Sequence, residues 1–112
     1  MTLRQRQSQF AFMLPRLIDW AYEHGYELAI GEAWRTPEMV AIYAERGTGS
    51  DKSVHPDKLA VDLNLFKDGE YLSTTEAHRP LGEFWKSIGG SWGGDFSKPD
   101  GNHYSLEWQG RK

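Results

Sequence analysis

The stretch Ala60-Val61-Asp62-Leu63-Asn64-Leu65-Phe66-Lys67-Asp68-Gly69-Glu70-Tyr71-Leu72 decides how this chain folds. Val61, Leu63 and Leu65 alternate with Asp62, Asn64 and Lys67, the period of two that sends side chains to opposite faces of a strand. Asp68-Gly69 is a strong hairpin turn, and Glu70-Tyr71-Leu72 returns as the partner strand. Antiparallel sheets bury one face and leave the other to solvent or a cleft. Asp62 belongs to that second, polar face.

Working downstream, Thr74-Thr75-Glu76 can cap a helix over about 76–87 that packs Leu81, Phe84 and Trp85 and ends at Gly89-Gly90. Residues 92–102 carry Gly, Pro, Asp and Lys and read as a loop. Over 103–108, Tyr104, Leu106 and Trp108 alternate with His103, Ser105 and Glu107, which gives a final strand. Upstream, the Gly-, Ser- and Thr-rich residues 47–54 form a loop. Thr36-Pro37-Glu38 caps a short helix with Pro at its first position, ending at Gly47. Residues 27–34 read as a strand. Phe10, Leu14, Leu17, Ile18, Ala21 and Tyr22 share one face of a helix over about 3–24, with a kink or late start expected at Pro15. His24-Gly25 is its stop. There are no repeats and no linker, and 112 residues suit one domain over 1–112. Helices mixed with antiparallel strands predict an α+β fold: a small antiparallel sheet with helices packed around it.

Composition narrows the chemistry. The formal charge is −3 with no basic run, so a nucleic-acid footprint is not expected. Cysteine is absent, which excludes disulfides, thiolate metal sites and cysteine nucleophiles. Any metal must therefore be held by His, Asp or Glu. The apolar stretch near the N-terminus is interrupted by Pro15, Arg16 and Asp19, so no signal peptide is expected, and no segment approaches a membrane span. A soluble product made in the cytoplasm is the expectation.

One constellation carries chemistry. Ser53-Val54-His55-Pro56 stands at the entrance to the strand, and Pro56 favours an extended His55. Asp62 follows seven residues later. Asp100-Gly101-Asn102-His103 enters the last strand, and its Gly-Asn pair allows a tight turn. Two imidazoles and a carboxylate suit zinc, which in catalytic sites takes three protein ligands and keeps one position open. A neighbouring carboxylate such as Asp100 can move the proton. Spacing alone leaves the alternative open, in which His55 and His103 are loop residues and Asp62 is a solvated strand residue.

The same residues resemble the zinc D-alanyl-D-alanine carboxypeptidase and L-alanyl-D-glutamate endopeptidase family, which includes many bacteriophage endolysins. The matching motifs are Ser53-Val54-His55, Leu59-Ala60-Val61-Asp62 and Asp100-Gly101-Asn102-His103, with Gly31-Glu32-Ala33-Trp34-Arg35-Thr36-Pro37-Glu38 upstream of all three and Trp92-Gly93-Gly94-Asp95 before the last. Asp62-Leu63-Asn64-Leu65-Phe66-Lys67-Asp68-Gly69 looks like the short phage members. The resemblance implies a single catalytic peptidase domain with zinc in a cleft on the sheet, held by His55, Asp62 and His103. It implies Asp100 as general base and later acid, Arg35 as the cation that steadies the oxyanion, and Ser53 as a substrate contact. The implied partner is the peptidoglycan stem peptide, cut by a monomer without membrane insertion. The implied setting is a host bacterial cytoplasm, with release to the wall through a pore made by another protein. A non-catalytic wall-peptide binder on the same fold is the alternative. The family often has Gly where this chain has Lys58. A different path for the ligand loop is expected there, with Lys58 lining the cleft.

Other candidates compete. Asp95 and Glu107 rival Asp100 as the base. Arg35 could instead pair with Glu32 or Glu38. His24 reads as a helix C-terminal residue, and His78 as a structural or surface residue within reach of the cleft. The aromatic residues read as core, with Trp92 the one that could meet substrate.

Overall fold

The computed structural model describes residues 1–47 and 53–112. The expected loop over 47–54 therefore lies largely outside the described residues. Helix α1 (Leu3–Glu23) starts at a capping box, in which Thr2 and Gln5 satisfy each other's backbone N–H. It runs through Pro15 without a late start. His24 is its C-cap, and its ring donates from Nδ1 to the Trp20 carbonyl at 2.7 Å. Strand β1 (Glu27–Ile30) is shorter than the expected 27–34. Helix α2 (Pro37–Glu45) begins at Thr36 with Pro in its first turn, as expected.

Strand β2 (Ala60–Lys67) turns through Asp68 and Gly69, both at positive φ, into β3 (Glu70–Leu72). Positive φ at both central residues is the signature of a type I′ hairpin. Helix α3 (Thr75–Ser87) is capped by Thr74. Two further elements depart from expectation. Ser91–Trp92 forms a short strand, β4, where a loop is expected, and β5 (His103–Ser105) stops well before Trp108. Trp108 and Arg111 instead pair with each other in an isolated bridge.

The strands make one antiparallel sheet in the order β1-β2-β5-β4, with β3 also paired to β2. Val61, Leu63, Leu65 and Tyr104 point into a core closed by Phe10, Met13, Leu17 and Ala21 of α1 and by Leu81 and Trp85 of α3. Phe10 meets Trp85 edge-on at 5.9 Å. The fold is thus α+β, as the alternation in β2 predicts.

The turn before β5 is fixed residue by residue. Asp100 N–H donates to the Gly93 carbonyl at 2.9 Å, and the Gly101 carbonyl accepts from the Trp92 ring at 2.7 Å. The Asn102 carbonyl accepts from Leu63 N–H at 2.9 Å, and His103 N–H returns to the Asp100 carbonyl at 3.1 Å. Trp92 is therefore core, 1% exposed, and the expectation that it meets substrate is corrected. Its ring holds the turn from beneath.

Gly93 sits directly under that turn. A Cβ there would lie 2.1 Å from the Asp100 carbonyl oxygen and 2.7 Å from His103 Cβ. Backbone cannot yield as a flexible side chain can, so Gly93→Ala should destabilise the fold by about 1–3 kcal/mol. Urea unfolding of the metal-free protein checks this; an unchanged midpoint would show that the turn is looser than drawn.

His78 is buried at 2% exposure and shares a 2.7 Å hydrogen bond with the Tyr104 hydroxyl. Burial pushes its pKa down from 6.5 to about 4. The unfolded chain takes up this proton below about pH 6.5 and the folded chain does not, so stability is full above that pH and falls as pH drops towards 4. Allowing for partial screening, the loss over this window should be roughly 2 kcal/mol. His78→Gln should flatten the slope, read as the difference in unfolding free energy between wild type and variant at each pH.

Candidate metal centre

Asp62 and His103 are direct cross-strand partners in the β2–β5 register, so their side chains share the face away from the core. On its other edge, Asp62 is pinned by Gly31 N–H on its carbonyl and by its own N–H on the Glu32 carbonyl, both at 2.8 Å. His55 enters from the turn before β2. Its N–H donates to Ser53 Oγ at 3.1 Å, and its ring donates from Nδ1 to the Ala33 carbonyl at 2.9 Å. A carbonyl can only accept, so this bond fixes the tautomer and leaves the Nε2 lone pair free.

That lone pair faces Asp62 Oδ1 at 3.3 Å, and His103 Nδ1 stands 3.7 Å from the same oxygen. Asp62 Oδ1 is buried and has no hydrogen-bond partner. Ligand atoms of His55, Asp62 and His103 all lie within 4.8 Å of one another. Neighbouring ligand atoms of a tetrahedral zinc site, with bonds of about 2.0–2.1 Å, stand about 3.3 Å apart. The residues present therefore fit that ion. Electrostatics agree. Burial works against ionisation of Asp62, but His103 and His55 outweigh it and hold the carboxyl down at about 2. Burial would also lower the His55 pKa, but Asp62 and the Ala33 carbonyl outweigh it and the net direction is up.

Asp100 lies beside the cluster on the solvent side. Loss of water around it raises its pKa, helped by Asp62 and opposed by His103, His55 and Arg35. Its rivals are engaged elsewhere: Asp95 pairs with Lys86 at 2.9 Å, and the Glu107 carboxylate accepts from Gly110 N–H. Because β5 ends at Ser105, Glu107 does not share a strand face with His103. Arg35 grips Glu32 with Nε at 2.7 Å and Nη2 at 3.2 Å, and its guanidinium packs over the Tyr43 ring. Its pairing with Glu32 is thus real, and its charge still acts on Asp100. Ser53 is buried, its oxygen occupied by His55 N–H.

Lys58 corrects an expectation. It adopts φ +60, the left-handed conformation that Gly would take, so the ligand turn keeps the glycine-like path. The ammonium lies 5.9 Å from the Trp34 ring rather than among the ligands. The sequence reading named Glu32 as a possible partner of Arg35 but missed the Ala33 carbonyl and the Tyr43 ring. The carbonyl is a backbone acceptor with no signature in residue type.

The profile of the D-alanyl-D-alanine carboxypeptidase family matches residues 46–106, more than half of the chain. No curated protein matches the sequence. Among solved structures, the L-Ala D-Glu endopeptidase ChiX of Serratia marcescens superposes with a TM-score of 0.68 at 19% identity, over 84% of this chain and 77% of that one. The vancomycin resistance D,D-pentapeptidase VanY from the VanB-type cassette, a point mutant in complex with zinc, gives 0.59 at 23% identity, over 88% and 70%. Both likenesses establish the fold. The chain belongs to the D-alanyl-D-alanine carboxypeptidase family, and it is a zinc metallopeptidase of the kind that acts on peptidoglycan.

Proposed function

We propose that this chain hydrolyses an amide bond of the peptidoglycan stem peptide, with His55, Asp62 and His103 as the zinc ligands. The bond is the L-alanyl-D-glutamate or D-alanyl-D-alanine link. The observation that carries this reading is the convergence of three acceptors on one point, with Asp100 beside them. When bound, zinc supplies Lewis acidity, polarising a carbonyl and lowering the pKa of a water to about 7. The chain's own residues do the rest. Asp100 takes a proton from the attacking water and passes it to the leaving amine as the C–N bond breaks. Its raised pKa suits both steps, because a carboxyl that binds protons more readily is a better base and still returns them. Arg35, held rigid by Glu32, keeps Nη1 free of that grip to meet the developing oxyanion. The Ser53 hydroxyl keeps its proton to donate to the substrate peptide while its oxygen steadies His55.

The setting we propose is endolysin-like: one catalytic domain over 1–112, made in a bacterial host and released to the wall by a separate pore-forming protein. The likeness of the 62–69 stretch to short phage members supports it. No helix among the described residues is long and apolar enough to cross a membrane.

Asp100→Ala should keep about one zinc per chain while hydrolysis of purified peptidoglycan falls at least about 100-fold. Elemental analysis and mass spectrometry of the released muropeptides measure the two together. Unchanged turnover would remove Asp100 from the mechanism. Muropeptides left intact by the zinc-loaded wild type would make the chain a binder instead.

A further inference from the structure

The turn that carries His55 is closed on itself. Asp57 and Leu59 N–H both donate to the Val54 carbonyl, at 3.1 and 3.2 Å, and Lys58 N–H donates to the His55 carbonyl at 3.1 Å. It also holds Lys58 in the left-handed region, at a cost of about 1–2 kcal/mol for a residue with a side chain. A strained conformation persists only where its surroundings over-determine it.

Those surroundings come from the far end of the chain. Arg111 Nη2 contacts Asp57 Oδ2 at 2.7 Å, and Nη1 of the same guanidinium donates to the Ser53 carbonyl at 3.3 Å. Ser53 and Asp57 stand two residues to either side of His55, so one planar cation brackets the ligand. Both side chains of the ion pair are partly buried, which spares it the screening that weakens surface pairs. Arg111 is itself fixed. Its N–H and carbonyl bond reciprocally with Trp108 at 3.0 and 2.8 Å, across a turn with Gln109 and Gly110 at positive φ. Helix α1 ties both ends: Gln7 donates to the Asp57 carbonyl at 2.9 Å, and Arg6 to the Glu107 carbonyl at 3.0 Å.

We propose that Arg111 is a positioning residue for the metal centre. By bridging Asp57 and Ser53 it fixes the turn that aims His55 Nε2, and so sets the affinity for zinc. This rests on His55 being a zinc ligand. The guanidinium fork is suited to the task because it reaches two acceptors at once, whereas a lysine ammonium on a flexible stem holds them less rigidly.

The test is the zinc dissociation constant, measured by competition with a chromophoric chelator, for wild type, Arg111→Ala, Arg111→Lys, Asp57→Asn and the Ala/Asn double variant. Unfolding of each metal-free protein and the visible spectrum of each cobalt-loaded form are recorded alongside. Removing an outer partner of a metal ligand typically costs 10–100-fold in affinity. Arg111 acts through the backbone, so Arg111→Ala should cost about 10-fold and alter the cobalt spectrum. Arg111→Lys should recover part of the loss. The double variant should lose less than the sum of its parts, because both changes break one interaction. A dissociation constant for Arg111→Ala within about twofold of wild type overturns the proposal, even if the metal-free protein is less stable. If that variant does not fold, Asp57→Asn is judged by the same criterion. A folded wild type that binds no zinc overturns the ligand assignment, and this inference with it.

Discussion

The register between β2 and β5 is the constraint on which the site depends. It sets Asp62 opposite His103 on one face and Val61 opposite Tyr104 on the other. A slip by one residue would exchange the faces of the whole strand. Val61, Leu63 and Leu65 would leave the core, at about 1.5–3 kcal/mol for each side chain exposed. The apolar core thereby selects the one pairing in which Asp62 and His103 meet. Packing free energy and metal geometry are consequences of the same register.

The third member of the cluster, His55, arrives by a different route. His55 belongs to no strand, so the sheet cannot aim it. Its ring is oriented by the Ala33 carbonyl, just beyond the end of β1, and its backbone by Ser53. Asp62 is tied to that same Gly31–Glu32 extension. The segment between β1 and α2 therefore holds His55 and Asp62 at once, and also carries Arg35. Close packing does comparable work under His103. Trp92, Gly93 and Gly101 leave the 100–103 turn almost no freedom, since a Cβ at either glycine would strike backbone.

Much of this was legible in the sequence where a pattern is local. The alternation over Ala60–Lys67 and the Asp68-Gly69 turn gave β2 and its hairpin with the observed bounds. Thr36-Pro37 and Thr74 gave the starts of two helices. Strand β4 was illegible because two residues show no alternation, and Ser91–Trp92 is a strand only through its partner β5. Strands β1 and β5 were overdrawn: Gly31 and Glu32 still bond to Asp62 beyond the end of β1, and the alternation over 103–108 outruns a ladder that stops at Ser105. Pro15 was expected to disturb α1, yet tertiary burial of Phe10, Met13, Leu17 and Ala21 keeps one helix across it. At Lys58, propensity argued for a new path and the turn's hydrogen bonds won. The candidate ligands were legible through the family resemblance, since spacing alone left a solvated alternative open, whereas the carbonyl behind His55 had no signature in residue type.

The cluster also sets two carboxyls in opposite electrostatic surroundings. Asp62 lies between two imidazoles that outweigh its burial, so it stays ionised down to about pH 2. A carboxylate oxygen that stays charged, with two imidazole nitrogens around it, attracts a cation. Asp100 meets the opposite balance: displacement of water and the charge of Asp62 both raise its pKa, and the imidazoles and Arg35 only partly offset them. A carboxyl so placed exchanges protons more readily and binds a cation less firmly. The ionised Asp62 thus acts on Asp100 through space, and the proposed division between metal ligand and proton carrier rests on that divergence of pKa. In the proposed reaction the fixed charge and the mobile proton would come from two residues of the same type, separated by what surrounds them.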